Sequence, residues 1–305
     1  MVNNMDNTIL FGNGLNRIPP TNLSWEDLLN KISTHGLIKN ISNTLQYEDI
    51  YLLKKIVPVA HTVSNNDTTE YALKKSIAKS FASYTSNLIY HKISLLPIEH
   101  LLTTNYDHVM DLSLEKHGFS FDSSKSDKSE DVYSIHRYRH FVNPSTNQTK
   151  RIWSIHGDMD APKSLMLGYD QYCGYISKCY DFLKGSYTIR KDKVGSIIDR
   201  LSNSKGIEIK SWVDFLFITD VHIVGFGLST DELELWWLLD KRMRYIKEGR
   251  IAIYNKIHFY DCDIDSDKKR LLQDFGLTIH EYDKPKDDDY TSLYTQIIDD
   301  IAKSI

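Results

Sequence analysis

Residues 221–282 read VHIVGFGLSTDELELWWLLDKRMRYIKEGRIAIYNKIHFYDCDIDSDKKRLLQDFGLTIHEY, and this stretch decides the fold class. VHIVGF at 221–226, KIHFYD at 256–261 and LTIHEY at 277–282 are short β-rich runs. Between them, Asp231 to Lys247 and Ser266 to Phe275 carry apolar residues at helical spacing, and a further helix follows at the C-terminus. Strands that alternate with helices in this way are parallel strands joined by crossover helices. The expectation is an α/β fold whose parallel sheet is flanked by helices.

The same alternation extends toward the N-terminus. Thr8 to Phe11 reads as the first strand, followed at once by Gly12-Asn13-Gly14, and Ser24 is placed to cap a helix opening SWEDLL. From Gln46 to about Ser94 the apolar spacing is mostly helical, divided by Pro58 and the loop at Ser64. His100 to Thr104 predicts a second strand and Asp107 to Lys116 a helix that stops at Gly118. After a polar loop at 120–131, strands are expected at Val132 to His136 and at Arg151 to Ile155, the latter ending in His156-Gly157-Asp158. Gln171 to Leu183 and the region up to Asp220 read as a second helical block. The domain reading is one unit over 1–305 with helical insertions at about 24–97 and 170–218.

Composition narrows the class. The 305 residues are 41% hydrophobic and 26% charged, enough apolar material for a large core and too much for wholesale disorder. A net charge of -4 supplies no basic field for nucleic acid, so direct nucleic-acid binding is not expected. The three cysteines, Cys173, Cys179 and Cys262, form neither a disulfide framework nor a four-thiolate zinc site and suit a reducing cytoplasm. The start MVNNMDNTILFGNG lacks the form of a secretory signal, and the longest apolar runs, such as 213–218, fall far short of a membrane span. A soluble cytoplasmic protein without membrane contact is therefore expected.

Candidate functional residues fall at predicted strand ends, where open α/β sheets bind ligands. Gly12-Asn13-Gly14 could bring a phosphate or ribose close to backbone N–H groups, or could be a tight turn; Arg17 stands where a dinucleotide fingerprint would have its third glycine. Asn105 offers a donor and an acceptor to a sugar hydroxyl or water, while Asp107 reads first as the cap of the next helix. His156, beside Gly157, is placed for proton transfer, with a hydrogen-bonded core histidine as the rival reading. Ser229-Thr-Asp-Glu after Gly225 and Gly227 has capping-box spacing, compatible with a phosphate at the helix N-terminus. No metal is expected: Ser266 and Leu272 occupy positions that a calcium loop needs for glycine and glutamate. His136 and His140 are interleaved with Arg137 and Arg139, as on a solvated face. The basic runs at 190–193 and 241–244 read as solvent faces of helices, and Trp236-Trp237 as core or interface.

In order along the chain, LFGNGLNR, SWEDLL, LLTTNYD, WSIHGD, LMLGYDQY and VHIVGFGLSTDELELWWLL resemble the SIR2-like domains of bacterial anti-phage NADases, distant relatives of sirtuins. The resemblance implies a Rossmann-like sheet that takes NAD as substrate. It implies Asn105 and His156 as the catalytic pair and Gly12, Asn13, Gly14, Asn16, Asp107, Gly225, Gly227 and Ser229 as cofactor contacts. The chain lacks the sirtuin zinc cysteines, and Asn16 replaces the usual serine. The activity implied is hydrolysis of the nicotinamide–ribose bond to nicotinamide and ADP-ribose, depleting NAD in abortive defence. A separate sensor or activator protein, or homo-oligomerisation, is expected to switch it on. A NAD-dependent deacylase or ADP-ribosyltransferase, and a non-catalytic nucleotide sensor, are the alternatives.

Overall fold

The computed structural model describes residues 7–19, 22, 67–167, 169–202 and 207–305. The Ser24 helix start and the part of the first expected insertion before residue 67 lie outside the described residues. The strands are β1 (Asn7–Phe11), β2 (His100–Thr103), β3 (Ser120–Phe121), β4 (Tyr138–Val142), β5 (Thr149–Ser154), β6 (Thr188–Ile189), β7 (Asp192–Lys193), β8 (Asp220–Val224), β9 (Ile257–Cys262) and β10 (Leu277–Tyr282). The helices are α1 (Asp67–Ser80), α2 (Leu88–Leu95), α3 (Val109–Lys116), α4 (Tyr169–Lys184), α5 (Ile197–Leu201), α6 (Phe215–Ile218), α7 (Leu233–Lys247), α8 (Ser266–Asp274) and α9 (Tyr290–Ser304).

One eight-stranded sheet, in the order β10-β9-β8-β1-β2-β5-β4-β3, organises the chain. The strands from β10 through β5 pair in parallel, and β4 and β3 add an antiparallel edge. Numbered by their own succession, the parallel strands run 3-2-1-4-5-6 from β5 to β10, the Rossmann order. The order reverses beside β1, which pairs β2 on one side and β8 on the other. A ligand crevice is expected outside the carboxyl ends of those strands.

Side chains alternate across the sheet, so each strand feeds two cores. Ile9, Phe11, Leu101 and Ile152 pack with α2, α3 and α9 on one face, while Leu10, Leu102, Trp153 and Ile223 pack with α4 and α7 on the other. Coverage of both faces explains why the parallel strands read as continuous apolar runs.

Several sequence expectations are corrected. The strand expected at Val132 to His136 lies instead at Tyr138–Val142, because Tyr133 has φ 55°, a left-handed conformation that interrupts an extended run. His136, Arg137, Arg139 and His140 are buried, so they form no solvated face. The segment 190–193 is not helical: Arg190 and Lys191, at φ 49° and 79°, make the turn between β6 and β7 inside the second block. On α7, Arg242 is buried and donates to the carbonyls of Leu216 and Asn255 at 2.9 and 2.6 Å, so the 241–244 run is not purely a solvent face. Helix α7 begins at Leu233 and the Ser229 hydroxyl does not cap it; that hydroxyl donates to Asp231 instead.

Candidate active site at the carboxyl edge of the sheet

The loops after β1 and β8 are joined directly. Gly14 N–H donates to the Gly225 carbonyl at 2.8 Å, and a Cβ on Gly14 would stand 2.6 Å from that oxygen. A Cβ on Gly12 would meet the Phe226 ring, 2.7 Å away. These two glycines are therefore required first by the approach of one loop to the other. Gly225 itself has φ 60° and packs on Leu15.

Behind this rim, a chain of hydrogen bonds crosses from β2 to β1. Asn105 Nδ2 donates to Tyr90 Oη at 3.2 Å, and Tyr90 donates to Asn16 Oδ1 at 2.8 Å. Asn16 Nδ2 then donates to Asp107 Oδ2 at 2.8 Å and to Asn13 Oδ1 at 2.9 Å. Burial, followed by the Asp107 carboxylate, pushes the Tyr90 phenol well above its ordinary value, so it stays a neutral donor. Burial also raises Asp107, against the N–H of Val109 and the Asn16 amide that hold it down. Asp107 Oδ1 accepts from Val109 N–H at 3.0 Å, so the same carboxylate steadies the start of α3 and closes the chain. Asn105 gives one Nδ2–H to Tyr90, which leaves its second N–H and its Oδ1 able to address a ligand.

Tyr90 was not singled out from sequence. Asn87 accepts from the N–H groups of Ile89 and Tyr90 at 3.0 and 3.3 Å, capping α2, while its own Nδ2 donates to the Leu15 carbonyl at 2.8 Å. One side chain thus starts the helix and staples it to the β1 loop. The asparagine before LIYHKI signals the helix start, but its partner 72 residues away is a fact of tertiary structure.

His156 occupies the next strand end. The register pairs Thr103 with Ser154, so Asn105 and His156 each stand two residues beyond paired positions on adjacent parallel strands. The Ile155 N–H donating to Thr103 O at 2.9 Å continues that alignment past the strand end. The imidazole is 3% exposed. Its Nε2 lies 2.5 Å from Glu234 Oε1 and 3.6 Å from Glu232 Oε2, and its ring meets Tyr172 edge-on at 5.7 Å. His156 does not hydrogen-bond Asn105. The two glutamates were also missed; the available signal was Glu234 in the buried stripe of α7 with Leu235, Leu238 and Leu239.

The turn after His156 is fixed by a buried ionic cluster. Asp158 meets His108 Nε2 at 2.9 Å and Arg139 Nη1 at 3.4 Å, and Arg139 Nη2 meets Asp111 at 2.9 Å. Burial, then the charge of Asp158, raises the Asp111 carboxyl well above the usual range. The donor atoms of His108, Asp158 and Asp160 lie near one another, as do those of His156, Glu232 and Glu234, but Arg139 already pairs Asp158 in the first set and the imidazole already pairs Glu234 in the second. The remaining expected contacts, Gly227 and Ser229, line an open cavity of about 580 Å³ with Trp236, Lys268 and Arg270.

Strand order and its reversal at β1 define a Rossmann-like α/β domain, with polar groups gathered at adjacent strand ends. Residues 99–279 match the family model of the SIR2-like domain, and the chain belongs to that family. Its activity is accordingly NAD-related. A search of the curated proteins gives no match. Among the described residues no helix is long and apolar enough to cross a membrane.

Proposed function

We propose that the protein hydrolyses NAD at the nicotinamide–ribose bond. The observation that carries this reading is the placement of Asn105 and His156 two residues beyond paired positions of the neighbouring strands β2 and β5, next to the reversal of strand order at β1. The C1′–N bond breaks with its electron pair moving to the pyridinium nitrogen, so the leaving group is neutral nicotinamide and needs no strong acid. Water adds to the oxocarbenium-like C1′ and loses a proton. Asn105 Oδ1 orients that water or a ribose hydroxyl, and His156 takes the proton. Gly12, Asn13, Gly14, Asn16, Asp107, Gly225, Gly227 and Ser229 surround the rest of the dinucleotide.

The burial of His156 beneath Glu232 and Glu234 supports a second element: this conformation is a resting one, and NAD cleavage requires the 225–232 segment to open. A separate activator protein or self-assembly supplies that change. Unchecked NAD loss is toxic, so abortive anti-phage defence is the biological setting that the family resemblance favours.

The purified protein is incubated with NAD, alone, over a range of protein concentrations and with candidate activators, and nicotinamide is quantified. Asn105→Ala and His156→Ala should each lower release by about 100-fold or more. An active preparation indifferent to both substitutions refutes the catalytic assignment. Label passing from NAD to protein, or NAD-dependent peptide deacylation, selects a transferase or deacylase, and binding without turnover selects a sensor. Full activity in an isolated monomer overturns the resting-state reading.

A further inference from the structure

Glu234 lies in the first turn of α7, yet it is fully buried. A surface acid would satisfy the helix dipole there without losing hydration, so the dipole does not explain the burial. Its Oε1 is 2.5 Å from His156 Nε2, and among the described residues His156 is the one group capable of positive charge within 4 Å of it. The other oxygen, Oε2, has no hydrogen-bond partner among the described residues. The surroundings supply phenols and a thiol: Tyr106 from the β2 loop, and Tyr172, Tyr175 and Cys179 from α4, each held protonated by burial and then by nearby anions that include Glu234. Asp231 and Glu232 are further carboxylates on the approach to α7. Among the described residues, the Glu234 carboxylate thus sits beside one imidazole, with phenols and a thiol as its other neighbours.

We propose that Glu234 is the positioning residue for His156, accepting the Nε2–H of the ring, fixing its orientation and tautomer, and stabilising the imidazolium formed when it takes a proton. This rests on the NAD-cleaving reading above. With Nε2 bonded to the carboxylate, Nδ1 carries the lone pair that receives a proton from water or a ribose hydroxyl. The carboxylate acceptor makes the ring a stronger base. Glu232, 3.6 Å away, adds to the same field.

The test compares wild type, Glu234→Gln and Glu234→Asp as full chains. NAD cleavage is followed against pH in an activated preparation, and the His156 ring is titrated by NMR with labelled histidine, using His156→Ala to assign the signal. Glu234→Gln should lower kcat about 10- to 100-fold with KM for NAD changed less than about twofold. The acid limb of the kcat profile and the His156 titration should both move at least about one pH unit lower, and Glu234→Asp should recover part of each change. An active wild type whose kcat, acid limb and His156 titration are unaltered by Glu234→Gln overturns the positioning role and leaves the NAD reading intact. A wild type that turns over no NAD under any activating condition removes the NAD reading, and the His156 titration then decides the coupling. Should Glu234→Gln fail to fold, Glu234→Asp decides: a His156 titration and kcat identical to wild type overturn the proposal.

Discussion

The two halves of the sheet's carboxyl edge are built from different physics. On the β1–β2 side, Asn105, Tyr90, Asn16 and Asn13 form a chain of neutral donors and acceptors that ends on one carboxylate, Asp107. On the β5–α7 side, one imidazole is buried against two glutamates, and the adjoining turn rests on a guanidinium shared by two aspartates. A chain of amides and a phenol sets geometry, and its one group that titrates on the acid side is the Asp107 carboxyl, raised by burial. A charged cluster responds to whatever brings or removes charge. On the proposed reading, the amide side is prepared in advance and the imidazole side is where activation would act.

The largest effect that could break this contrast is on the charged side. Arg139→Met leaves Asp111 and Asp158 buried without their cation and should destabilise the fold by about 3–5 kcal/mol in urea unfolding. A loss under about 1 kcal/mol would show that the guanidinium does not support the 156–158 turn. On the neutral side, Tyr90→Phe removes one hydroxyl from two hydrogen bonds and should cost about 1–3 kcal/mol, with an equal loss at about pH 7 and pH 8. A strong pH dependence of that loss would place the network among the charged elements. Asn87→Ala should cost about 1 kcal/mol through the α2 cap and lower NAD cleavage by displacing Tyr90. Cleavage unchanged in this variant would separate α2 from the site.

A separate effect concerns the His136 pairing just before β4. Burial pulls the His136 imidazole down, but Asp127 and Glu130, at 3.2 and 3.4 Å, outweigh it and raise its pKa to about 9. The unfolded chain has the ordinary 6.5, so this pairing contributes fully below pH 6.5 and is lost as pH rises through about 9. Thermal stability should fall over that window in wild type, and His136→Asn should flatten that part of the profile. An unchanged profile would remove His136 from the pH response.

The sheet was legible because its strands are apolar on both faces and its crossover helices keep their period, as in 221–282. The strand ends were legible too, since glycine, asparagine and histidine there interrupt apolar runs. What the sequence concealed depends on distant partners. Tyr90 belongs to a helix that resembles any other until it meets the β1 loop, and Glu234 gains its meaning from a histidine 78 residues away. Local spacing also misplaced β4, since the positive φ at Tyr133 was not anticipated, and it gave Ser229 a cap that the late start of α7 denies.

The hydrogen bond between Gly14 and Gly225 carries a mechanical implication. It lies where the first and fourth parallel strands end, so the two loops form a common pivot. On the proposed reading, opening of the 226–232 segment would turn about this fixed point, exposing the imidazole while the Asn16 network and the Glu234–His156 pair keep their places. Substituting either partner with a bulkier residue would therefore alter the axis of motion as well as the packing of the loops.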